Sequence, residues 1–260
     1  MPGARDAHHG ANSRWTHPEG APDSKDPQSR RRSAGARPQS AASGSTPLSQ
    51  PQRRIGLTGG IATGKSTVAA LLEQRFGLPV LDADRFAREA LAPGSPGAVA
   101  VLARYGEQVR ARCEAAPPAA DACPALDRAA LGRIVFADAA ERAWLEGLVH
   151  PLVRACFAAE LERLQELPTV VLMIPLLFEA GLESLCSEVW LVDCDETEQL
   201  RRLMARDGLA AEEATARMHS QWPMARKRAL AQVVIDNSQP SSDLPLQLTH
   251  LLRSRPLRAS

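Results

Sequence analysis

The chain has 260 residues, of which 44% are hydrophobic and 23% are charged, and its formal net charge is +1. This composition predicts a globular protein with one sizeable core or two modest ones. The near-neutral charge creates no overall field that would favour nucleic acid as a partner. The longest apolar run, 170–178, is about half as long as a membrane-spanning helix, and no apolar leader follows Met1. We therefore expect a cytoplasmic protein that binds neither nucleic acid nor a membrane.

The first 52 residues are rich in proline, serine, glycine and arginine and contain few large apolar side chains. Such a segment cannot repay the entropy lost on ordering, so a disordered tail is expected over 1–52 and a folded domain over 53–260. The five cysteines, at 113, 123, 156, 186 and 194, form no C-x-x-C pair and no zinc-ligand spacing with histidine. Reduced, structural thiols are the expectation.

The most informative stretch is a short apolar strand that continues into a glycine-rich turn and then a helical pattern. From Gly59 to Ser66 it has the Walker A form G-x-x-x-x-G-K-[ST]. Glycines there let successive N–H groups converge on one anion, and the following helix adds partial positive charge. Lys65 is predicted to contact the outer phosphates and Ser66 to hold Mg²⁺. The predicted nucleotide-contacting residues are Gly59, Gly60, Ala62, Thr63, Gly64, Lys65, Ser66 and Thr67.

Lysine is rare in this chain, where arginine supplies nearly all positive charge. Only Lys25, Lys65 and Lys227 occur. A sequence with this bias is expected to keep lysine where a branched, planar guanidinium would not fit, and a tight phosphate-binding loop is such a place.

The second predicted strand, 78–81, leads into the sequence Asp82-Ala83-Asp84. In a parallel sheet these carboxylates follow the same strand ends as the phosphate loop. If the segment stays extended, Asp82 and Asp84 point the same way, so one could accept a proton from a substrate hydroxyl and the other could hold water on Mg²⁺. The alternative is that one of them caps a helix that starts at Arg85.

The block from Arg85 to Glu166 has a helical, alanine-rich pattern and contains no strong strand. It predicts a helical insertion that covers the substrate, interrupted by a surface loop at 115–124. Pro151 is expected in the first turn of a helix, where its missing N–H is not needed. His150 is predicted either to contact substrate phosphate or to be a buried, hydrogen-bonded histidine.

Three further strands are predicted at 168–174, 188–192 and 233–237, the first of them beside the opening strand. No aspartate ends the 168–174 strand, so Glu179 is considered either a substrate contact or a helix-start charge. A helix over 197–206 ends before Gly208, and Arg206 is favoured as a phosphate clamp. Five strands that alternate with helices predict a doubly wound parallel sheet.

Several motifs together resemble the dephospho-coenzyme A kinase family over residues 54 to about 238. They are Leu57–Ile61 with Gly64–Thr67, Leu81–Asp84, His150–Pro151, Ile174–Glu179 and Val234–Asn237. Gln221 and Arg226 match a further glutamine and arginine of that family. The chain departs from the family pattern shortly before the final strand, where an acidic residue is usual and this chain has Ala231-Gln232-Val233, and in its longer loop at 115–124.

The resemblance implies a three-layer α/β P-loop kinase fold with a five-stranded parallel sheet, a helical insertion at about 85–166 and a short lid at about 200–226. It implies transfer of the ATP γ-phosphoryl group to the ribose 3′-hydroxyl of dephospho-coenzyme A, with Mg²⁺, in a monomer or weak homo-oligomer. Asp84 would be the base and Arg206 the lid arginine, acting with Lys65. The implied substrate contacts are Thr58, Asp82, Asp84, His150 and Glu179.

Three alternatives stay open from the residues. One is another small-molecule kinase, because Asp-x-Asp after a strand occurs in several such enzymes. Another is a nucleotide-dependent switch, although the chain has no Asn-Lys-x-Asp motif for reading guanine. The third is a catalytically silent ATP-binding module.

Overall fold

The computed structural model describes residues 52–111, 124–239 and 243–254. The predicted disordered tail lies outside these residues, apart from Gln52, and so do the two cysteines at 113 and 123 and most of the predicted loop at 115–124. Gln52 Nε2 donates a hydrogen bond of 2.7 Å to the Leu164 carbonyl. The described chain therefore begins with a residue that the tail prediction included.

Five parallel strands form the sheet, which confirms the predicted fold class. They lie in the order β2-β3-β1-β4-β5. Because β1 lies between β3 and β4, Leu57 pairs with both Met173 and Trp190. The loop that follows β1 therefore emerges from the middle of the sheet. The strand bounds are β1 Arg53–Gly59, β2 Val80–Asp82, β3 Thr169–Met173, β4 Glu188–Asp193 and β5 Val233–Asp236.

Helices α1 and α6 end as their sequences predict. Gly77 and Gly208 follow them in left-handed conformation, with φ of 65° and 68°, a region where glycine has no Cβ penalty. The helix bounds are α1 Lys65–Phe76, α2 Ala83–Ala90, α3 Pro96–Tyr105, α4 Arg128–Ala137, α5 Ala139–Arg163, α6 Glu196–Asp207, α7 Ala211–His219, α8 Met224–Leu230 and α9 Leu244–Ser254.

The structure differs locally from the prediction at Pro151 and at Glu179. Pro151 lies inside the 25-residue helix α5 and not in a first turn, so the helix continues through a position that has no N–H to donate. Of the two alternatives for Glu179, a helix-start charge is wrong, because the chain after β3 forms consecutive turns up to Gly181. The final helix α9 was not predicted.

Among the described residues, buried apolar side chains form three separate clusters. Strand alternation divides β3, since Val171 packs on one sheet face while Val170 and Leu172 pack on the other. The third cluster joins α3 and α4, which come between β2 and β3 in the sequence, and it contains no residue of the five strands. Its buried members are Ala98, Val101, Val109, Leu126, Leu131 and Val135.

Within the described residues, no helix combines the length and apolar character needed to cross a bilayer.

Candidate active site

The loop between β1 and α1 has backbone N–H groups that the protein itself does not use. No described residue accepts a hydrogen bond from the N–H of Ala62, Gly64, Lys65 or Ser66. Gly64 has a φ of 95° and precedes the first turn of α1, while Ser66 is exposed within that turn. Unpaired donors at a helix N-terminus bind anions. The predicted phosphate-binding loop thus has the donors that it requires.

Lys65 lies against the carbonyl groups of its own loop. Its Nζ donates hydrogen bonds of 2.6 Å to Gly60 and 3.1 Å to Gly59. The Lys65 pKa is lowered from 10.5 to about 8, chiefly by burial and next by the positive charge of Lys227. Because an anion favours the charged amine, a phosphate in the loop would raise this pKa again.

Two acidic side chains partly offset the lowering of the Lys65 pKa. Asp84 and Glu179 raise the Lys65 pKa, whereas Arg206 lowers it together with Lys227. Charged side chains from four different parts of the chain therefore act on the Lys65 amine. In particular, Asp84 and Lys65 are near enough for each carboxyl and amine charge to act on the other.

Asp82 and Asp84 differ in backbone position, contrary to the expectation of an extended segment. Helix α2 starts at Ala83, and Asp82 is its N-cap, with Oδ1 accepting a 2.8 Å hydrogen bond from the Asp84 N–H. The alternative of a capping role is thus correct for Asp82. The helix that it caps starts at Ala83, two residues before the expected start at Arg85. Partial burial of the Asp84 carboxyl raises its pKa, and the Asp82 charge raises it further.

Glu179 pairs with a buried lysine. Its Oε1 lies 2.7 Å from Nζ of Lys227, which has no exposed surface, and accepts a 3.1 Å hydrogen bond from the Trp222 N–H. Its Oε2 is buried and lacks a hydrogen-bond partner among the described residues. Glu179 thus connects the turn after β3 to the segment that enters α8.

The remaining predicted residues differ in accessibility. Arg206 is exposed near the end of α6 and pairs with Asp207 at 2.7 Å. Thr58 is fully buried and donates its hydroxyl to the Pro175 carbonyl at 3.1 Å, so its side chain has no atom open to a substrate. His150 is exposed on α5. The alternative of a buried histidine is therefore wrong, and its contact with substrate phosphate stays a prediction.

Two cavities border the phosphate loop. The first, of about 640 Å³, adjoins the start of α1 and is lined by Gly64, Thr67, Glu198, Arg201, Arg202 and Asn237, among others. The second, of about 560 Å³, lies among α6, α7 and α8 and borders Gly60. Trp222 lines this second cavity, and the Arg226 guanidinium stacks 3.2 Å from the centre of the Trp222 ring.

Sequence reasoning missed three residues of this site. Gln199 donates to the Ile61 carbonyl at 2.7 Å, and Asn237 donates to the Thr63 carbonyl at 2.8 Å. No local pattern marks Gln199, and Asn237 was noted only as the end of the motif Val234–Asn237, without a role. Lys227 did carry a signal, because the argument about rare lysines applied to it as well as to Lys65.

Comparison with known proteins places the chain among kinases. A family model described as dephospho-CoA kinase matches residues 53–243. The dephospho-CoA kinase of Synechococcus sp. (strain CC9605) is 58% identical over 205 residues, which cover 79% of this chain and 94% of that protein. The crystal structure of TT1252 from Thermus thermophilus has a TM-score of 0.66 and 39% identity, and covers 80% of this chain and 100% of its own. The dephospho-CoA kinase from Campylobacter jejuni has a TM-score of 0.57 and 26% identity, with coverage of 77% and 96%.

Proposed function

This chain belongs to the dephospho-CoA kinase family, and from that premise we propose that it transfers the ATP γ-phosphoryl group to the ribose 3′-hydroxyl of dephospho-CoA. This reaction is the last step of coenzyme A synthesis. The residue-level proposal is carried by the fold: Lys65 follows β1 and Asp84 follows β2, both at the carboxyl ends of parallel strands, and the charge of each acts on the pKa of the other. A phosphate-binding loop and a proton acceptor then act on one reacting centre.

The nucleotide would lie along the start of α1. Its phosphates would accept hydrogen bonds from the unpaired N–H groups of the loop, and its nucleoside would enter the adjoining cavity of about 640 Å³. Arg201 and Arg202 line that cavity, and their planar guanidinium groups suit stacking against a base. This arrangement assigns the nucleoside to the α6 side of the loop and leaves the α2 side to the acceptor.

The acceptor hydroxyl would lose its proton to Asp84. A raised pKa makes this carboxylate a better proton acceptor, provided that the pH keeps it ionised. Lys65 would leave its carbonyl partners and donate to the transferring phosphoryl group, and Arg206 would stabilise its charge from the end of α6. Most of the rate would come from positioning and electrostatics.

Mg²⁺ fits the loop through the Ser66 hydroxyl, which is exposed at the start of α1. In the described residues, no three histidine, cysteine or acidic side chains cluster as a metal site. Ser66 would hold the ion together with the nucleotide phosphates, and the bound ion would supply charge neutralisation. A cytoplasmic location and a monomeric or weakly associating state stay predictions.

The decisive experiment measures ADP release with dephospho-CoA, adenosine or shikimate as the acceptor. We expect release that depends on dephospho-CoA and falls by about two or more orders of magnitude in Lys65→Ala and Asp84→Asn. Asp127→Asn is the matched control, because Asp127 caps α4 through the Ala130 N–H. Preference for another acceptor would contradict the substrate, and near-normal turnover of Asp84→Asn would remove the proposed base.

A further inference from the structure

The phosphate loop contains a strained alanine. Ala62 has a φ of 58°, the only positive value among the described non-glycine residues. Left-handed backbone is unfavourable for an L-residue because its Cβ crowds the carbonyl oxygen, and the residue keeps that conformation only where its surroundings determine it. Gly64, two residues later, has a φ of 95°. The loop therefore needs contacts that hold these two residues in place.

Carboxamide side chains supply such contacts on both sides of Ala62. The carbonyl of Ile61, in the peptide bond between Ile61 and Ala62, accepts a hydrogen bond of 2.7 Å from Gln199 Nε2. The Ile61 N–H donates a hydrogen bond of 2.9 Å to Gln221 Oε1. Both backbone polar groups of Ile61 are thus bonded before the left-handed residue begins.

The third carboxamide acts in the same way at Gly64. Asn237 Nδ2 donates a hydrogen bond of 2.8 Å to the Thr63 carbonyl, in the peptide bond between Thr63 and Gly64. Both left-handed residues of the loop are thus preceded by a carbonyl that a side-chain amide holds. Gln199 and Asn237 are buried, at 4% and 5% exposure, so their hydrogen bonds are shielded from competing water.

The loop glycines leave room for these amides. A Cβ on Gly60 would lie 2.6 Å from Gln199 Nε2, and a Cβ on Gly64 would lie 2.1 Å from Asn237 Nδ2. Neutral amides also suit a site for anions, because they can donate to a carbonyl without bringing a carboxylate near phosphates or a second cation that would compete for them.

We propose that Gln199, Gln221 and Asn237 form a carboxamide clamp that holds the phosphate loop in its anion-binding conformation before the nucleotide arrives. They are positioning residues of the proposed kinase site, on which this inference rests. The clamp bonds Ile61 and Thr63 and leaves the N–H groups of Ala62 and Gly64 for phosphate. Preorganisation of this kind increases affinity because the free-energy cost of ordering the loop no longer falls on nucleotide binding.

The test measures ADP affinity by calorimetry, without an acceptor. Gln199→Met keeps the length and removes the amide, and we expect it to weaken ADP binding about tenfold, the equivalent of one lost net hydrogen bond. Gln221→Ala, in a partly exposed turn, should weaken binding in the same direction and covers the case in which Gln199→Met fails to fold. Gln52→Met removes the hydrogen bond from a side-chain amide to the Leu164 carbonyl, near the opposite end of β1. This control should leave ADP affinity unchanged.

A second background separates positioning from general stability. Glycine adopts positive φ about as readily as negative φ, so in an Ala62→Gly chain Gln199→Met should weaken ADP binding by less than about threefold. The same fold-change in both backgrounds, or normal ADP affinity in folded Gln199→Met and Gln221→Ala, would overturn the clamp. If the unsubstituted chain binds ADP but prefers another acceptor, the proposed substrate fails while the clamp stands.

Discussion

Asp82 and Asp84 have the same chemistry and lie two residues apart, yet their backbone positions give them different roles. Asp82 ends β2 and caps α2, whereas Asp84 belongs to the first turn of α2 and lies near Lys65. Burial is the main reason that the Asp84 pKa is raised, and the Asp82 charge is the second. The cap residue therefore tunes the proposed base.

This coupling predicts the effect of Asp82→Asn on the pH profile. Asparagine caps helices as well as aspartate does, so the helix should remain. Removal of the Asp82 charge lowers the Asp84 pKa toward its usual value. Because Asp84 must be ionised to accept a proton, the acid limb of kcat/KM for dephospho-CoA should move to lower pH. Steady-state rates between about pH 4 and pH 8 measure this shift.

Asp138→Asn is the control for that experiment. Asp138 caps α5 by accepting a hydrogen bond of 2.7 Å from the Ala140 N–H. The substitution of Asp138 by asparagine should leave the acid limb of the pH profile in place. An unmoved limb in folded Asp82→Asn would show that the two carboxylates do not interact as inferred.

At the scale of elements, the Glu179–Lys227 pair connects α8 to the turn after β3. Lys227 is wholly buried and its amine lies 2.7 Å from Glu179 Oε1. Two buried charges stabilise a fold weakly as a pair, but loss of one partner leaves an uncompensated charge in a poorly solvated place. The pair therefore acts chiefly by fixing how α8 joins the rest of the chain.

Lys227→Met should lower the free energy of unfolding by about 3–5 kcal/mol, because it leaves the mostly buried Glu179 carboxylate without its cation, with only the Trp222 N–H as a partner. The double variant Lys227→Met/Glu179→Gln should recover most of that loss, since neither charge remains and glutamine can still accept from the Trp222 N–H. Urea denaturation of the three proteins measures the difference.

The neighbouring residue on α8 provides the control. Arg228 pairs with Asp193 but is exposed, so Arg228→Met should cost less than about 1 kcal/mol. Equal destabilisation in the single Lys227→Met and the double variant would contradict an explanation based on the unpaired charge.

At the scale of the whole molecule, separate apolar clusters support separate parts of the proposed site. The phosphate loop is held by β1, α6 and the residue after β5, while α3 and α4 have a cluster of their own. Damage to that third cluster should therefore affect the helical segment between β2 and β3 before it affects the nucleotide site.

Leu131→Ala tests this separation. Leu131 is 4% exposed in the third cluster, and its truncation should loosen the packing at a cost of about 2–5 kcal/mol. We expect a higher KM for dephospho-CoA with unchanged ADP affinity, measured by kinetics and calorimetry. Phe136→Ala, on the same helix at 82% exposure, should change neither quantity. Loss of ADP affinity in folded Leu131→Ala would contradict the separation.

The sequence by itself determined that five strands alternate with helices, and it determined the glycine helix ends at Gly77 and Gly208 and the Walker A loop. These features depend on patterns within a few neighbouring residues, such as apolar alternation, left-handed glycine and N–H groups at a helix start. Local patterns failed at Pro151, which α5 includes, and at Glu179, whose contacts with Lys227 and Trp222 come from distant parts of the chain. They also gave no reason to expect α9, whose Leu244 and Leu248 are buried against the sheet.

Tertiary structure alone decided what holds the loop and what neighbours Lys65. Gln221 lies 160 residues from Ile61 in sequence, and Asn237 lies 174 residues from Thr63. Such contacts depend on which strands become adjacent in the sheet, and the strand order places β4 and β5 on one side of β1. No short-range pattern encodes that adjacency, because the free energy that selects it comes from burying side chains of the whole sheet at once.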